Sequence, residues 1–294
     1  MSGRQAQFSP ASRRRRLVAI WSSQRPEVPT ELLVESPSAE QPAVHQLSEV
    51  TSTPVTVGSS AVDVGPAMAP AVKLIGDDQP WSDKTGGALH KLVRETRPLT
   101  WVITGDSLEP MAGEREWRNF SGRLIEYLRL HRQRMEDAFV VTTSPLRRIG
   151  SLATELQTQL LRFQPDVVLL NVSPSEAEAG RRGLSTFEAD LLRIVQASRA
   201  AGLQLCLATP PVTPLHPGVD PVDVLIYVEA VRSVAAEYDL PLVDHYAHWE
   251  EAARLMGSLE RWFEPMSSWP GRIGHEQLTR RIIHDLGLSV PLPH

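Results

Sequence analysis

From residue 99 onward, short apolar segments alternate with longer amphipathic ones. Five runs rich in aliphatic and β-branched residues predict strands, and they lie at residues 99–104, 138–142, 166–172, 203–208 and 240–244. The run at 166–172 is the clearest, because it is apolar on both faces, as parallel strands covered by helices are. The segments between the runs must then supply the covering helices.

Apolar residues at helical spacing lie between these runs. Phe120, Leu124 and Leu128 recur at steps of four, and Ser185 to Glu188 form a capping box that predicts the start of another helix. Helices are predicted over residues 82–96, 117–135, 151–163, 185–201, 221–238, 249–256 and 275–286. The alternation predicts an α/β fold, a three-layer α/β/α sandwich built on a five-stranded parallel sheet.

The first 90 residues have a different composition. Proline, serine, threonine, valine and alanine dominate residues 1–90, where no apolar period of a helix or strand persists. Such a segment cannot bury enough apolar surface to offset the entropy lost on ordering. We therefore expect a mostly disordered N-terminal arm over residues 1–90, followed by one domain over residues 91–294. The predicted helix at 82–96 is expected to dock on that domain.

Composition narrows the classes of function. Hydrophobic residues make up 41% of the 294 residues, charged residues make up 22%, and the net charge is −5. No general attraction to nucleic acid or to anionic membranes is therefore expected, and no apolar run approaches the roughly 18 residues of a membrane span. Cys206 is the single cysteine, which excludes intrachain disulfides, and the sequence predicts no metal site and no cofactor.

The arm contains a basic run next to a short apolar stretch. Arg13 to Arg16 directly precede residues 17–21, and the apolar stretch ends at Ser22. A secretory signal needs an apolar stretch of about 7 to 15 residues, which is longer than this one. A cytoplasmic location is therefore expected.

A tight turn follows the first predicted strand. Gly105, Asp106, Ser107 and Leu108 leave the strand and bring the Ser107 hydroxyl to its carboxyl end, where open α/β sheets bind ligands. An ordinary strand-to-loop turn would have the same four residues. The rest of the chain favours the functional interpretation.

The turn resembles the first motif of the SGNH, or GDSL-type, hydrolases, and the resemblance covers about residues 98–288. Gly150 lies at the glycine of the family's second motif, and Ser175 stands where the third motif has an asparagine. The resemblance implies a flavodoxin-like sheet and cleavage of esters, such as acetyl groups on sugars or acyl chains of lipids. It implies that Ser107 is the nucleophile, that Gly150 and Ser175 form the oxyanion hole, and that the ligand is a small ester or an acetylated carbohydrate.

The sequence departs from the family where the catalytic base belongs. Counting back from Gly274 and His275, the family's histidine and the aspartate three residues before it correspond to Trp269 and Met266. A serine hydroxyl is a poor nucleophile without a neighbouring base, and neither an indole nor a thioether can accept its proton. Losing the base typically costs about 10⁴ to 10⁶ in rate, so we expect hydrolysis to be lost or strongly reduced. Trp269 is expected over the cleft beside Ser107.

Other histidines are candidates for a substitute base. His216 lies in a proline-rich loop that borders the cleft in this fold, and His245 and His248 follow a predicted strand end. His275, at the predicted start of the last helix, is expected to be a capping or surface residue.

Three functions remain open on this reasoning. The first is an SGNH-fold protein that has lost most hydrolase activity and retains a ligand pocket, and the second is an active esterase with a displaced base. The third is a non-catalytic scaffold that binds partners through its proline-rich arm. Because a fold does not determine a function, the site must separate these alternatives.

Limited proteolysis tests the expected boundary between arm and domain. We expect a protease to remove the arm and to leave a resistant core that starts between Trp81 and Pro98. Mass spectrometry of the core gives its first residue. A resistant fragment from within residues 1–80 would contradict the prediction.

Overall fold

The predicted sheet is present, and all of its strands are parallel. The computed structural model describes residues 83–110, 117–213 and 219–289. Its strands are β1 (Thr100–Gly105), β2 (Ala138–Val141), β3 (Val167–Asn171), β4 (Gln204–Ala208) and β5 (Leu242–Val243). Their order in the sheet is β2–β1–β3–β4–β5, which is the flavodoxin-like order.

Helices fill most of the chain between the strands. The described residues form α1 (Asp83–Arg94), α2 (Phe120–His131), α3 (Ile149–Thr154), α4 (Leu156–Gln159), α5 (Gly180–Ala200), α6 (Pro221–Glu237), α7 (His245–Met256) and α8 (Arg272–Asp285). Short 3₁₀ helices span Leu161–Phe163, Pro174–Ala179 and Glu260–Trp262. Among the helices described, none is long and apolar enough to cross a membrane.

Two hydrophobic cores lie on opposite faces of the sheet. One core packs α1, α2, α7 and α8 against the first face, with Leu124 of α2 fully buried. The other core packs α3, α5 and α6 against the opposite face, with Leu152 of α3 fully buried. Neighbouring strand residues alternate between the cores, since Leu169 belongs to the first and Leu170 to the second. This arrangement is the predicted three-layer sandwich.

Helix α1 docks on the domain as the sequence predicts. Leu89 and Val93, one helical turn apart, are both buried in the first core. The folded unit therefore includes Leu89, which lies just before the expected boundary at residue 91.

Helix α5 begins earlier than the capping box predicts. Its first residue is Gly180, because the 3₁₀ helix Pro174–Ala179 leads directly into it. Ser185 therefore lies inside the helix, and the prediction that it starts the helix is wrong. At the other end, Gly202 has a left-handed φ of +70° and terminates the helix, as glycine commonly does.

The single helix predicted over residues 151–163 is divided into shorter pieces. Helix α3 ends at Thr154, whose hydroxyl donates hydrogen bonds to the carbonyl oxygens of Gly150 (2.8 Å) and Ser151 (2.9 Å). Such bonds compete with the helical ones, which explains the interruption.

Helices α7 and α8 also begin earlier than predicted. Helix α7 begins at His245, because the side chain of Asp244 accepts a hydrogen bond from the Ala247 N–H at 3.0 Å and caps the helix. Helix α8 begins at Arg272, directly after Gly271. Both shifts change the surroundings of histidines that are candidates for a substitute base.

A buried ion pair ties the start of the sheet to the segment after α1. The Asp137 carboxylate accepts hydrogen bonds from the Leu99 N–H (3.0 Å), the Trp101 indole (2.8 Å) and the Arg134 guanidinium (2.7 Å). Arg134 also donates to the carbonyl oxygen of Arg97 at 2.7 Å. Because both charged side chains are less than a tenth exposed, each depends on the other for its solvation.

We expect Asp137→Ala to lower the free energy of unfolding by about 3 to 5 kcal/mol, because it leaves the buried Arg134 charge uncompensated. Denaturant unfolding followed by circular dichroism measures the change. The matched control is Glu251→Ala, which breaks a solvent-exposed pair with Arg254 and should leave the midpoint nearly unchanged. Equal effects of the two variants would contradict the prediction.

Candidate functional site

The turn after β1 requires a glycine at its first residue. Gly105 has φ +92°, and a Cβ atom placed on it would lie 2.0 Å from the carbonyl oxygen of Asn171 at the end of β3. Any side chain here would collide with the neighbouring strand. The glycine thus lets the chain leave the sheet beside β3 and places Ser107 at the carboxyl end of β1.

The Asp106 carboxylate holds this turn in place. One oxygen accepts hydrogen bonds from the backbone N–H groups of Leu108 (2.8 Å) and Leu146 (3.2 Å), and the other accepts one from the Ser173 hydroxyl. Leu146 follows β2 and Ser173 follows β3, so one buried side chain joins the ends of three strands. The sequence pattern does not identify this role, although it places Asp106 beside Ser107.

Three buried serine hydroxyls have no hydrogen-bond partner among the described residues. One belongs to Ser198 in α5, and the other two belong to Ser107 and Ser175, which are 4% and 1% exposed. The Ser107 N–H donates to the Ser144 carbonyl oxygen at 3.2 Å, and the Ser175 N–H donates to the Ser173 hydroxyl oxygen at 3.2 Å. The backbone of each serine is therefore fixed while its hydroxyl stays available, and an unmade buried hydrogen bond is costly without a ligand.

Glu176 connects the second and third motifs. Its carboxylate accepts a hydrogen bond from the N–H of Ile149, the first residue of α3, at 2.5 Å. Gly150 is the second residue of the same helix, so its N–H has no acceptor within the helix. A Cβ atom on Gly150 would lie 3.1 Å from a carboxylate oxygen of Asp190, which leaves little room for a side chain. The predicted oxyanion residues Gly150 and Ser175 thus lie on segments joined by one carboxylate.

The surroundings of the Glu176 carboxyl favour its neutral, protonated form. Burial raises the pKa of Glu176 to about 7, and the negative charges of Asp106 and Asp190 act in the same direction. The hydrogen bond from Ile149 and the charge of Arg148 oppose this shift without cancelling it.

Trp269 and Met266, the positions predicted to correspond to the family's histidine and aspartate, lie in a hairpin-like loop before α8. Phe263 pairs with Pro270 in an antiparallel bridge, and the Glu264 N–H donates to the Trp269 carbonyl oxygen at 3.0 Å. Met266 lies in this loop with a left-handed φ of +53° and a fully exposed side chain. An exposed thioether cannot orient a base, and no carboxylate replaces it at this position.

His245 and His248 follow a different strand from Ser107. Both follow β5, which lies three strands from β1, a separation of about 14 Å at the usual strand spacing. His245 is buried, and its pKa is held well below 6.5 by burial first, then by His248 and Arg281. The His248 ring stacks on Trp262 with 6.0 Å between ring centroids. Both histidines are packed inside the domain.

The other two histidines considered from the sequence are His216 and His275. His216 lies outside the described residues. His275 is buried rather than at the surface, because α8 begins a turn before it. Its Nδ1 accepts a hydrogen bond from the Phe120 N–H at 3.2 Å, so it caps α2 and not its own helix.

No group of three or more histidine, cysteine, aspartate or glutamate side chains within the described ranges could hold a metal ion. 

Three solved structures share this architecture at low sequence identity. LAE5, an α/β hydrolase enzyme from the metagenome of Lake Arreo in Spain, is 16% identical, with a TM-score of 0.56 over 68% of this chain and 100% of that chain. A candidate GDSL-like lipase from Parabacteroides merdae is 14% identical, with a TM-score of 0.56 over 66% and 97%. A catalytic mutant of Axe2, an acetylxylan esterase from Geobacillus stearothermophilus, is 16% identical, with a TM-score of 0.54 over 64% and 94%.

The comparisons with known sequences add nothing to these structures, since no protein-family model and no curated protein matches the chain. These similarities show that the chain has an α/β fold of the kind found in hydrolases. More narrowly, the chain has an SGNH hydrolase-like fold, as its motifs predict.

The raised pKa of Glu176 predicts that the stability of the folded domain depends on pH. Because that pKa is raised from 4.5 to about 7, the folded state keeps a proton that the unfolded state has lost in this range, so stability falls as the pH rises from 4.5 to about 7. Glu176→Gln keeps an oxygen acceptor for Ile149 and removes this dependence. We expect its free energy of unfolding, relative to the parent, to increase by on the order of 3 kcal/mol between about pH 4.5 and pH 8.

Denaturant midpoints measured across this pH range check the prediction. Glu178→Gln is the matched control, because Glu178 lies in the same 3₁₀ helix but is part-exposed and paired with Arg148. If the difference in free energy of unfolding between the parent and Glu176→Gln does not change with pH, the pKa of Glu176 is not raised and the prediction is wrong.

Proposed function

We propose that this chain is an SGNH-fold protein in which ester hydrolysis is lost or strongly reduced and a ligand site at Ser107 is retained. One observation carries the proposal. The Ser107 and Ser175 hydroxyls are buried without partners on a fixed backbone, while the positions of the family's base and its carboxylate are Trp269 and the exposed Met266.

The chemistry of the nucleophile supports a loss of activity. The Ser107 hydroxyl needs a base within hydrogen-bond reach to lose its proton, and the indole of Trp269 has no basic nitrogen. Catalytic mutants of Axe2 replace a serine, an aspartate or a histidine three residues after that aspartate. This chain has the serine and neither of the other two.

The negative charges near the site also support a loss of hydrolytic activity. An oxyanion held by Gly150 and Ser175 would form near the carboxyl groups of Asp106, Glu176 and Asp190, of which the last two flank α3. Negative charge on these carboxyl groups would raise the energy of an anionic transition state, whereas a neutral acyl group carries no such penalty.

The ligand that fits this reasoning is a small neutral ester, such as an acetylated carbohydrate. The hydroxyls of Ser107 and Ser175 can donate hydrogen bonds to a carbonyl oxygen, and a neutral ligand avoids repulsion from the carboxyl groups. The acetylxylan esterase among the similar structures supports the same class. We place this function in the cytoplasm, on the shortness of the apolar stretch at 17–21.

An active esterase that uses a displaced base is the second candidate function. His216 is the first candidate for that base, since it follows the β4 sequence in the proline-rich stretch from Pro210 to Pro217. His245 and His248 are weaker candidates because of their burial and the strand separation. A scaffold that binds partners through an arm over residues 1–90 rests on composition alone.

Restoring the missing groups tests the proposal. The triple variant Trp269→His/Met266→Asp/Ser175→Asn recreates a base, its orienting carboxylate and an amide donor. We expect it to hydrolyse p-nitrophenyl acetate roughly 10²-fold or more faster than the parent, because oxyanion donors alone contribute that much. Adding Ser107→Ala should abolish the gain.

The matched control is Trp269→Asn/Met266→Asp/Ser175→Asn, which makes the same polar changes without a base. It should stay at least about 10²-fold below the triple variant, because a positioned general base contributes that much. A gain that survives Ser107→Ala would contradict the proposal. So would fast turnover by the parent that both Ser107→Ala and His216→Ala remove, since that result identifies an active esterase with a displaced base.

A further inference from the structure

Three carboxylic acid side chains are buried among the described residues, and that of Glu176 has the fewest partners. The Asp137 carboxylate pairs with Arg134, and the Asp106 carboxylate accepts hydrogen bonds from two backbone N–H groups and a hydroxyl. The Glu176 carboxyl accepts a single hydrogen bond, from the Ile149 N–H, and no ion pair joins it to another described residue. Negative charge on a buried group with so little compensation is costly, so Glu176 is a candidate for a role in the site.

The charged and titratable groups that act on the Glu176 carboxyl come from four neighbouring elements. They are Asp106 in the turn after β1, Arg148 before α3, Asp190 in α5 and Tyr227 in α6. Of these four groups only Arg148 is a cation, and its guanidinium already pairs with Glu178, in the same 3₁₀ helix as Glu176. The groups around Glu176 therefore do little to stabilise a negative charge on it.

Glu176 also lies beside the groups of the Ser107 site. It directly follows Ser175, its carboxyl bonds the residue before Gly150, and the charge of Asp106, next to Ser107, acts on it. The hydroxyls of Ser107 and Ser175 are buried and have no hydrogen-bond partner among the described residues, which points to a ligand that they bind. A carboxyl group beside those hydroxyls limits the charge that such a ligand can carry.

We propose that Glu176 is a specificity-determining residue of the Ser107 site, which excludes anionic ligands while its carboxyl is ionised and admits them when the carboxyl holds a proton. This inference rests on the proposed function, because it assumes a ligand site at Ser107 and Ser175. A neutral acyl group binds in either protonation state. A carboxylate binds only to the protonated form, since two negative charges in a site with little water repel each other strongly.

The size of the effect follows from the fraction of molecules in which Glu176 holds a proton. Burial raises the pKa of Glu176 to about 7, so about nine-tenths of the molecules are protonated there at about pH 6 and about a tenth at about pH 8. The apparent affinity of a ligand that binds only one form is reduced by the fraction of that form. We therefore expect a carboxylate to bind roughly tenfold more weakly at the higher pH.

Titration of the full chain with acetate and with acetamide tests the proposal. The two probes have nearly the same shape, but acetate is an anion at both pH values and acetamide is neutral. The NMR chemical shift of the Gly150 amide, measured at constant ionic strength, reports binding at the site. We expect the Kd of acetamide to be the same at about pH 6 and about pH 8, and that of acetate to rise roughly tenfold.

Two variants separate Glu176 from other titrating groups. Glu176→Gln is neutral at both pH values and keeps an oxygen acceptor for the Ile149 N–H, so it should bind acetate equally well at both. Glu178→Gln is the matched control from the same 3₁₀ helix, and the roughly tenfold change should persist in it. Ser107→Ala should weaken the binding of both probes, which locates them at the site. Circular dichroism checks that each variant is folded.

Three results would overturn this inference while leaving the proposed function intact, provided that acetamide binds the parent. They are an acetate affinity that is the same at both pH values, an acetate affinity whose change with pH persists in Glu176→Gln, and a failure of acetate to bind at either pH. If neither probe binds the parent or Glu176→Gln at either pH, the proposed ligand site itself is wrong, and this inference is wrong with it.

Discussion

The hydrogen bonds accepted by the Asp106 carboxylate are the constraint on which the site depends. They join the ends of β1, β2 and β3 through Leu108, Leu146 and Ser173, so the turn that carries Ser107 has one conformation. Gly105 contributes the close approach to β3 that brings these partners within reach. A buried carboxylate with three donors is stable where a less bonded one would not be, which is why this frame can exist inside the domain.

The same frame makes the site a poor place for negative charge. Burial raises the pKa of Glu176, and the nearby charge of Asp106 acts in the same direction, so a group that orders the turn also opposes further negative charge. In a hydrolase, an imidazolium beside the nucleophile would offset that charge. Under the proposed function, with Trp269 at the position of the base, this offset is absent.

How much the sequence could predict depended on whether the determining contacts were local. The strands were predicted correctly, because a run such as 166–172 needs burial on both faces wherever it lies. The start of α5 was predicted wrongly at Ser185, since the preceding 3₁₀ helix extends it to Gly180. Likewise, the burial of His275 follows from contact with Phe120, which is 155 residues away. The roles of Glu176 and Ser173 were missed for the same reason.

The Ser107 turn and the loop that carries Trp269 are held by separate sets of contacts. The Ser107 turn is held by Asp106 and its partners, whereas Trp269 belongs to a loop that is closed by Phe263 and Pro270. That loop is positioned by close packing at Gly274, where a Cβ atom would lie 2.2 Å from the Trp262 carbonyl oxygen. None of these contacts requires an imidazole or an aspartate. Under the proposed function, replacing both would remove chemistry at little cost in folding and leave the buried Ser107 and Ser175 hydroxyls in place.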